Sequence, residues 1–570
     1  MAKKNYPKKE AVTTKKFSSS QIDLFEKIES FFKSKPFWVF GVPIILGFFT
    51  YLLLFDAKVS IGGDDSGYLM RAHRFIEHGE FPFYQGPVYP MVLGFFMLFF
   101  GINLFVLKFL SVFFIVGSIF ILYKAFEKHV SPLVLFFALT LVGINSYVGL
   151  YASMTYSEAF FVFGLSLFLL FFIRKFVEKE SSPFGGMEIL NVFLLSLFVF
   201  VLSQIRFVGI ATLGAAIVFF ILYKKYFHAV VAIGFFAAIY AGYHFLKIGL
   251  DVPDGMSTQM ELLFNVDPYD ATKGQETIGG FIGRFFGNSD LYLSKTFLSQ
   301  IGLRPELSEA NSLLTAVVYF LLLGSAFLFY KNKNKALVFS FLALLALMSL
   351  TFIVLQTSWD QDRMIVVYYP LLFILILSGF SLLFNEKNLT SFRLALPLIG
   401  LILITVSLTR TLPKLQANTL VVQKNFGGDK YYGYTEDWVN YLKMSEYVGK
   451  NLPKETVVGS RKAGMSYVYS NGMTQYGINR IRTENPEELL DLLVENKVGY
   501  IIDASLRANP AANTGQVIST VPRFMYYIRT KYPETFELVH TIGNTEPAYL
   551  YKINYPERPE KEQTAIDESL

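Results

Sequence analysis

The stretch FWVFGVPIILGFFTYLLLF at residues 37–55 carries no charge and is long enough, as one helix, to cross the roughly 30 Å hydrocarbon core of a bilayer. The residues before it, 1–36, hold nine Lys and no Arg, and no small-residue cleavage site follows the apolar run, so the sequence reads as an uncleaved first span rather than a signal peptide. Within the basic stretch, Ile22, Phe25, Ile28, Phe31 and Phe32 recur at helical spacing. This predicts an amphipathic helix over 20–32 that lies flat on the inner leaflet.

Comparable apolar runs follow at 102–123, 132–150, 157–176, 188–204, 207–223, 228–246, 312–330, 336–355, 364–384 and 392–411, which predicts about eleven spans in all. With 53% hydrophobic and 17% charged residues among 570, the chain is too apolar for an ordinary soluble domain. The net charge of +6 sits in short clusters between the runs: Lys124 and Lys128; Arg174, Lys175 and Lys179; Lys224 and Lys225; Lys331, Lys333 and Lys335; Lys387 and Arg393. All of these end even-numbered spans, so a cytoplasmic N-terminus puts every basic connection on the cytoplasmic side. That placement argues against nucleic acid as a partner and for the lipid bilayer. Cys is absent, which excludes disulfides and thiolate chemistry.

The predicted fold is therefore a membrane all-α protein with outside-facing interfacial helices and a C-terminal α/β soluble domain. Its parts are a cytoplasmic N-terminus (1–36), a transmembrane domain (37–411) and an extracytoplasmic domain (412–570), in the inner (plasma) membrane of a bacterium. The transmembrane part presents a first outside loop at 56–101 and a long one at 247–311. In the tail, helical patterns at 438–450 and 486–496 alternate with the strand-like runs 457–458 and 498–503, and no nucleotide-binding glycine motif follows either strand. The spans lack ionisable residues near their midpoints, which disfavours an ion-coupled transporter.

Chemistry is expected on the outside face. Gly62-Gly-Asp-Asp-Ser-Gly-Tyr68 is followed by Leu69, Ala72, Phe75 and Ile76 at helical spacing and a stop at Gly79, a short interfacial helix with Asp64 and Asp65 in its first turn. Such acids serve either as helix caps or as a base or metal ligand in a surface cleft. Glu158 opens the fourth span after Ser157. Arg206 lies between the fifth and sixth spans, and Arg363 ends Trp359-Asp-Gln-Asp-Arg363. Each arginine alone reads as a lipid-phosphate anchor, but two on a face with three acids suit a phosphorylated lipid, because the guanidinium fork holds two phosphate oxygens. His73, His78 and His244 share this face and read as structural.

These residues resemble the polyprenyl-phosphate-dependent glycosyltransferases of the type C superfamily, which include protein O-mannosyltransferases and the lipid A aminoarabinose transferase. The resemblance rests on Asp64-Asp65, Tyr68, Ala72, Gly79 and Pro87-Val-Tyr89-Pro90 in the first loop, on Ser157-Glu158, on Arg206-Phe-Val-Gly209 and on the segment from Arg363 to Pro370. It covers roughly 37–411, with the tail similar to the variable soluble domain that many members append. It implies transfer of a sugar from a polyprenyl-phosphate donor to a lipid, glycan or protein acceptor by inverting displacement. Asp64 would be the base, Asp65 and Glu158 would shape the acceptor or metal site, and Tyr68, Tyr89, Arg206 and Arg363 would bind substrate. Members often carry Asp-Glu where this chain has Asp64-Asp65, and only some use a divalent cation, so the metal is left open, with Asp65 and Glu158 as candidate ligands. A flippase for lipid-linked sugar and a non-catalytic scaffold are the alternatives. The loop at 247–311, with Gly279-Gly280, is expected to cover the site as a lid.

Overall fold

The computed structural model describes residues 19–179, 185–250, 264–267, 270–507 and 516–557. Each apolar run lies on a helix. Among the described residues, eight helices are long and apolar enough to cross a membrane, and a ninth forms when the bent pair Pro132–Ile144 and Ser146–Ala152 is taken as one span. The two remaining predicted spans fall on shorter apolar stretches, Phe207–Leu222 and Tyr369–Phe384. They are short because the helical run is interrupted: Arg206 is extended, and a break at Val367–Tyr368 separates the single turn Arg363–Val366 from Tyr369–Phe384. One apolar helix of the first loop, Val88–Phe100, is not among the predicted spans. Side chains such as Phe95, Phe99, Phe113, Phe320 and Phe327 stay exposed on the bundle, as lipid-facing residues of a multi-pass membrane protein do.

Small residues let the first span touch its neighbour closely. A Cβ on Gly143 would sit 2.7 Å from the Pro43 carbonyl oxygen, so Pro36–Leu53 and Pro132–Ile144 touch backbone to backbone, and the Tyr51 hydroxyl donates to the Val142 carbonyl at 2.7 Å. The second of these helices then bends by 60° at Asn145. The bend leaves helix-end groups to be satisfied. Asn145 Oδ1 accepts from the amides of Tyr147 and Val148 at 3.0 Å, and Thr411 donates to the freed Ile144 carbonyl at 2.8 Å.

The basic connections gather at one end of the bundle. Arg174 bridges Glu178 at 2.9 Å and Glu127 at 3.2 Å, Lys128 reaches Glu178 at 3.0 Å, and Lys331 reaches Glu386 at 2.8 Å. The predicted amphipathic helix, Ser19–Ser34, packs at this end through Phe32 on Phe136. The first loop and the tail occupy the other end.

The last bundle helix, Ala395–Phe426, runs well past residue 411 and carries the chain directly into the tail. There β1 (Val457–Ser460), β2 (Gln475–Gly477), β3 (Val498–Ala504), β4 (Phe536–Ile542) and β5 (Ala548–Ile553) form one sheet in the order β2-β1-β3-β5-β4. The first three strands are parallel and β5 and β4 antiparallel. Helices Glu436–Asn451 and Pro486–Glu495 lie where the periodicity predicts them, while Ala463–Tyr469 and Thr520–Arg529 add to the layers. The tail does not stand apart. Trp438, Met465 and Val468 share one apolar core with Tyr68, Leu69 and Ala72 of the first loop.

Candidate active site

The first-loop helix runs Asp64–His78, begins after Gly63 at φ 93° and ends at Gly79 at φ 69°, both left-handed positions that suit glycine. Its inner face, Leu69 and Ala72, is fully buried. The cap position itself belongs to Gly63, so neither aspartate is consumed as the N-cap.

The two aspartates point to different surroundings. Asp65 is wholly buried and accepts from the Ser60 amide at 2.7 Å, the Ser60 hydroxyl at 3.0 Å and the Ser66 amide at 2.8 Å. Burial pushes its pKa up, while the Lys108 charge and these hydrogen bonds push back. Its partners are all local, which makes it a fastening for the loop. Asp64 is half-exposed and its Oδ2 meets Arg363 Nη2 at 2.7 Å.

Behind that pair, Arg363 Nε lies 3.8 Å from Glu158 Oε1, and the same oxygen is 2.5 Å from Arg206 Nη1. Asp64, Arg363, Glu158 and Arg206 thus alternate in sign from an open end at Asp64, whose side chain is 40% exposed, to a closed one at Glu158, 3% exposed. Four separate segments deliver them. The extended backbone of Arg206 turns its side chain back across the start of Ser157–Phe172, where it also donates to Ser157 Oγ at 3.4 Å. Arg363 leaves the turn at 356–362 and takes Gln361 Oε1 at 2.9 Å. Burial works against the Arg363 charge, but Glu158 and Asp64 outweigh it and hold its pKa above the usual value. Each guanidinium has five N–H donors, more than these partners use, so both can also grip phosphate oxygens.

Tyr68 donates to Ser157 Oγ at 3.2 Å and sits beneath Arg71, whose guanidinium is 4.8 Å from its ring. Tyr89 is fully buried behind it, edge-on to Tyr68 and stacked on Phe160, so it reaches the cleft only through Tyr68. Among the described residues no group of three or more His, Asp or Glu able to hold a metal occurs, so Asp65 and Glu158 are not joined there by a third ligand of that kind. Glu158 is committed to arginine, so the residues present do not build a divalent-cation site on their own. His73 binds Tyr467, with Nδ1 2.9 Å from the hydroxyl, and neither His78 nor His244 joins the cleft acids.

Several neighbours were not singled out from the sequence. The Tyr156 ring lies under Arg363, 5.1 Å away, and its hydroxyl is 2.7 Å from Ser60 Oγ, which links the arginine to Asp65. Lys108, fully buried in the helix Leu104–Phe126, donates to the carbonyls of Asp56 and Lys58 and pins the loop base beside a cavity of about 340 Å³. A lone lysine in an apolar span was the available signal for it. The tail adds Lys462, which donates to the Ile61 carbonyl at 2.7 Å; burial and Arg461 lower its pKa while Asp64 opposes them. A Cβ on Gly464 would lie 2.8 Å from Ser66 Oγ, so the tail helix rests directly on the first turn of the Asp64 helix.

No family model matches the sequence, and no curated protein matches it. ArnT from Cupriavidus metallidurans bound to undecaprenyl phosphate aligns with a TM-score of 0.53 at 10% identity, over 90% of this chain and 97% of that one. ArnT from the same organism in the apo state aligns with a TM-score of 0.51 at 10% identity, over the same shares. The chain has the ArnT fold. The archaeal oligosaccharyltransferase AglB from Archaeoglobus fulgidus, in complex with an inhibitory peptide and a dolichol-phosphate, aligns more loosely, with a TM-score of 0.47 at 13% identity over 92% of this chain and 75% of that one. The ArnT likeness takes in more than 37–411, because the uncovered tenth of the chain is shorter than the tail.

In the described part of the loop 247–311, the helix Ile278–Ser289 is fastened to the segment that carries Arg363. Asn288 donates to the carbonyls of Phe352 and Leu355 at 2.8 Å, and Lys295 pairs with Asp360 at 2.5 Å. Residues 251–263, 268 and 269 of the expected lid lie outside the described residues.

Proposed function

We propose that this protein is a membrane glycosyltransferase that moves a sugar from a polyprenyl-phosphate donor to an acceptor at the extracytoplasmic face of a bacterial plasma membrane. The observation that supports it is the Asp64–Arg363 pair at 2.7 Å, open at the surface and backed by the buried Glu158–Arg206 pair, in a chain with the ArnT fold. A carboxylate that ends in an exposed cleft beside two guanidinium groups suits a displacement at a phosphate-linked carbon. The acceptor oxygen attacks the sugar C1 and the bond from C1 to the phosphate oxygen breaks with inversion. Asp64 takes the acceptor proton, and Arg206 and Arg363 stabilise the departing polyprenyl phosphate. Glu158 holds the two arginines in place, Tyr156 braces Arg363 from below, and Tyr68 meets Arg206 through the shared Ser157 hydroxyl.

In this reading 1–36 is cytoplasmic, 37–411 carries the donor site, and the tail covers the first loop from outside. The acceptor is a lipid, a glycan or a protein, and the long loop 247–311 closes over the bound substrates. The experiment is transfer of radiolabelled sugar from polyprenyl-phosphate donors in membranes of a deletion strain, complemented with the wild-type protein or with Asp64→Asn at matched expression. Transfer by the wild type and its loss in the variant uphold the reading. Transfer by neither protein from any donor overturns it.

A further inference from the structure

The tail carries a second concavity, of about 490 Å³, that the scheme above does not use. Asn479 to Glu484, which follow the carboxyl end of β2, form one wall, and Ser519, Thr520 and Arg523 form the other. The concavity lies on the side of the carboxyl ends of the parallel strands, where open α/β folds hold ligands. Three arginines, Arg480, Arg482 and Arg523, line it against one acid, Glu484, which lies 3.9 Å from Arg523 and is 72% exposed. The remaining lining is hydroxyl and amide, with Ile481 as its one apolar side chain.

A basic path leads from this pocket towards Asp64. Arg461, just past the end of β1, donates to Asn479 Oδ1 at 3.3 Å on the pocket wall. The next residue, Lys462, bonds the carbonyl of Ile61, three positions before Asp64. An anionic chain seated on the three arginines would pass Arg461 and Lys462 on its way to the base.

We propose that the pocket binds the acceptor, and that the acceptor is an anionic glycan whose phosphate or carboxylate groups sit on Arg480, Arg482 and Arg523 while the chain passes Arg461 and Lys462 to present a hydroxyl at Asp64. Guanidinium forks match such groups in two-point contact. Thr483, Thr520 and Asn479 supply partners for sugar hydroxyls. The lining offers no aromatic platform for the bases of a nucleic acid and too little apolar surface for the side chains of a peptide. The delivery of the hydroxyl rests on the glycosyltransferase reading; the binding does not.

The test is fluorescence anisotropy on the full-length protein in nanodiscs, with labelled oligogalacturonate, phosphorylated mannan oligosaccharide, neutral mannan oligosaccharide of equal length and poly-glutamate. Both anionic glycans are expected to bind, more weakly as salt rises, and the neutral one not to bind. The combined variant Arg480→Gln, Arg482→Gln, Arg523→Gln should weaken binding at least tenfold while eluting as the wild type, and Gly214→Ala, where an added Cβ meets nothing within 4 Å, should leave it unchanged. The proposal is overturned if neither anionic glycan binds, if the triple variant binds as the wild type does, or if poly-glutamate binds the same arginines as tightly. Anionic glycan binding lost in the triple variant, with no sugar transfer to any acceptor, upholds the pocket and removes the glycosyltransferase reading.

Discussion

Asp64 Oδ2 and Arg363 Nη2 meet at 2.7 Å although they come from the first loop and from the turn that precedes the short helix Tyr369–Phe384. The contact is half-open, so its own contribution to stability is small, about 0–1 kcal/mol. Asp64→Asn should therefore leave the fold unchanged and lower sugar transfer by roughly 10²–10⁴-fold, the range for a lost general base. Elution profile and thermal midpoint, measured on the samples used for transfer, separate the two effects. An equal fall in midpoint and transfer would assign Asp64 to structure.

Glu158 behaves differently because it is 3% exposed and depends on Arg206. Arg206→Met leaves the buried carboxylate with only the longer 3.8 Å contact to Arg363 and should cost up to about 3–5 kcal/mol, the range for breaking a buried pair. Adding Glu158→Gln removes the stranded charge and should recover part of that loss, although neither variant would regain transfer. Thermal midpoints of the single and double variants in one detergent give the coupling.

Gly464 tests whether the tail completes the site. The Cβ of a valine there meets Ser66 Oγ at 2.8 Å and lies 3.6 Å from the Gly67 amide nitrogen, and its two methyl groups add bulk to the contact between the tail helix and the Asp64 helix. Gly464→Val should reduce transfer at least tenfold with the span helices intact, as read by circular dichroism. Gly214→Ala, where an added Cβ meets nothing within 4 Å, is the matched control and should be silent.

The His73–Tyr467 contact predicts a pH dependence. Burial, with His78 acting the same way and Glu77 against it, lowers the His73 pKa in the folded state. The undocked side chain titrates near about 6.5. Protonation therefore favours the undocked state: the contribution of His73 is fully present above about 6.5 and is lost as pH falls from there towards the lower folded value. Thermal midpoints of the wild type should fall relative to His73→Gln between about pH 7 and pH 5.5, and parallel curves would refute the assignment.

Legibility in the sequence followed the physics of each signal. Spans are read from length and hydropathy, so all the apolar runs fell on helices; two proved short because the backbone breaks at Arg206 and at Val367–Tyr368 lie beside or within apolar runs, where hydropathy does not register them. The helix Asp64–His78 was legible from Leu69, Ala72 and Gly79. That Asp64 faces Arg363 while Asp65 faces Ser60 was not, since neighbouring positions on a helix differ only by the direction of their side chains. The tail showed β1, β3 and two helices through their periodicity but hid its docking on the first loop. The residues of that contact, Lys462, Gly464 and Tyr467, form no motif and matter only for what lies opposite them.

The core shared by the first loop and the tail also orders events at the ribosome. Leu69 and Ala72 emerge early, yet Trp438, Met465 and Val468, which share their core, are several hundred codons away. At about 5–20 residues per second, the loop waits on the order of tens of seconds with its apolar face uncovered. A nascent chain therefore holds an unfinished centre until its last part is made, and a chain terminated before the tail leaves the apolar face of the Asp64 helix uncovered.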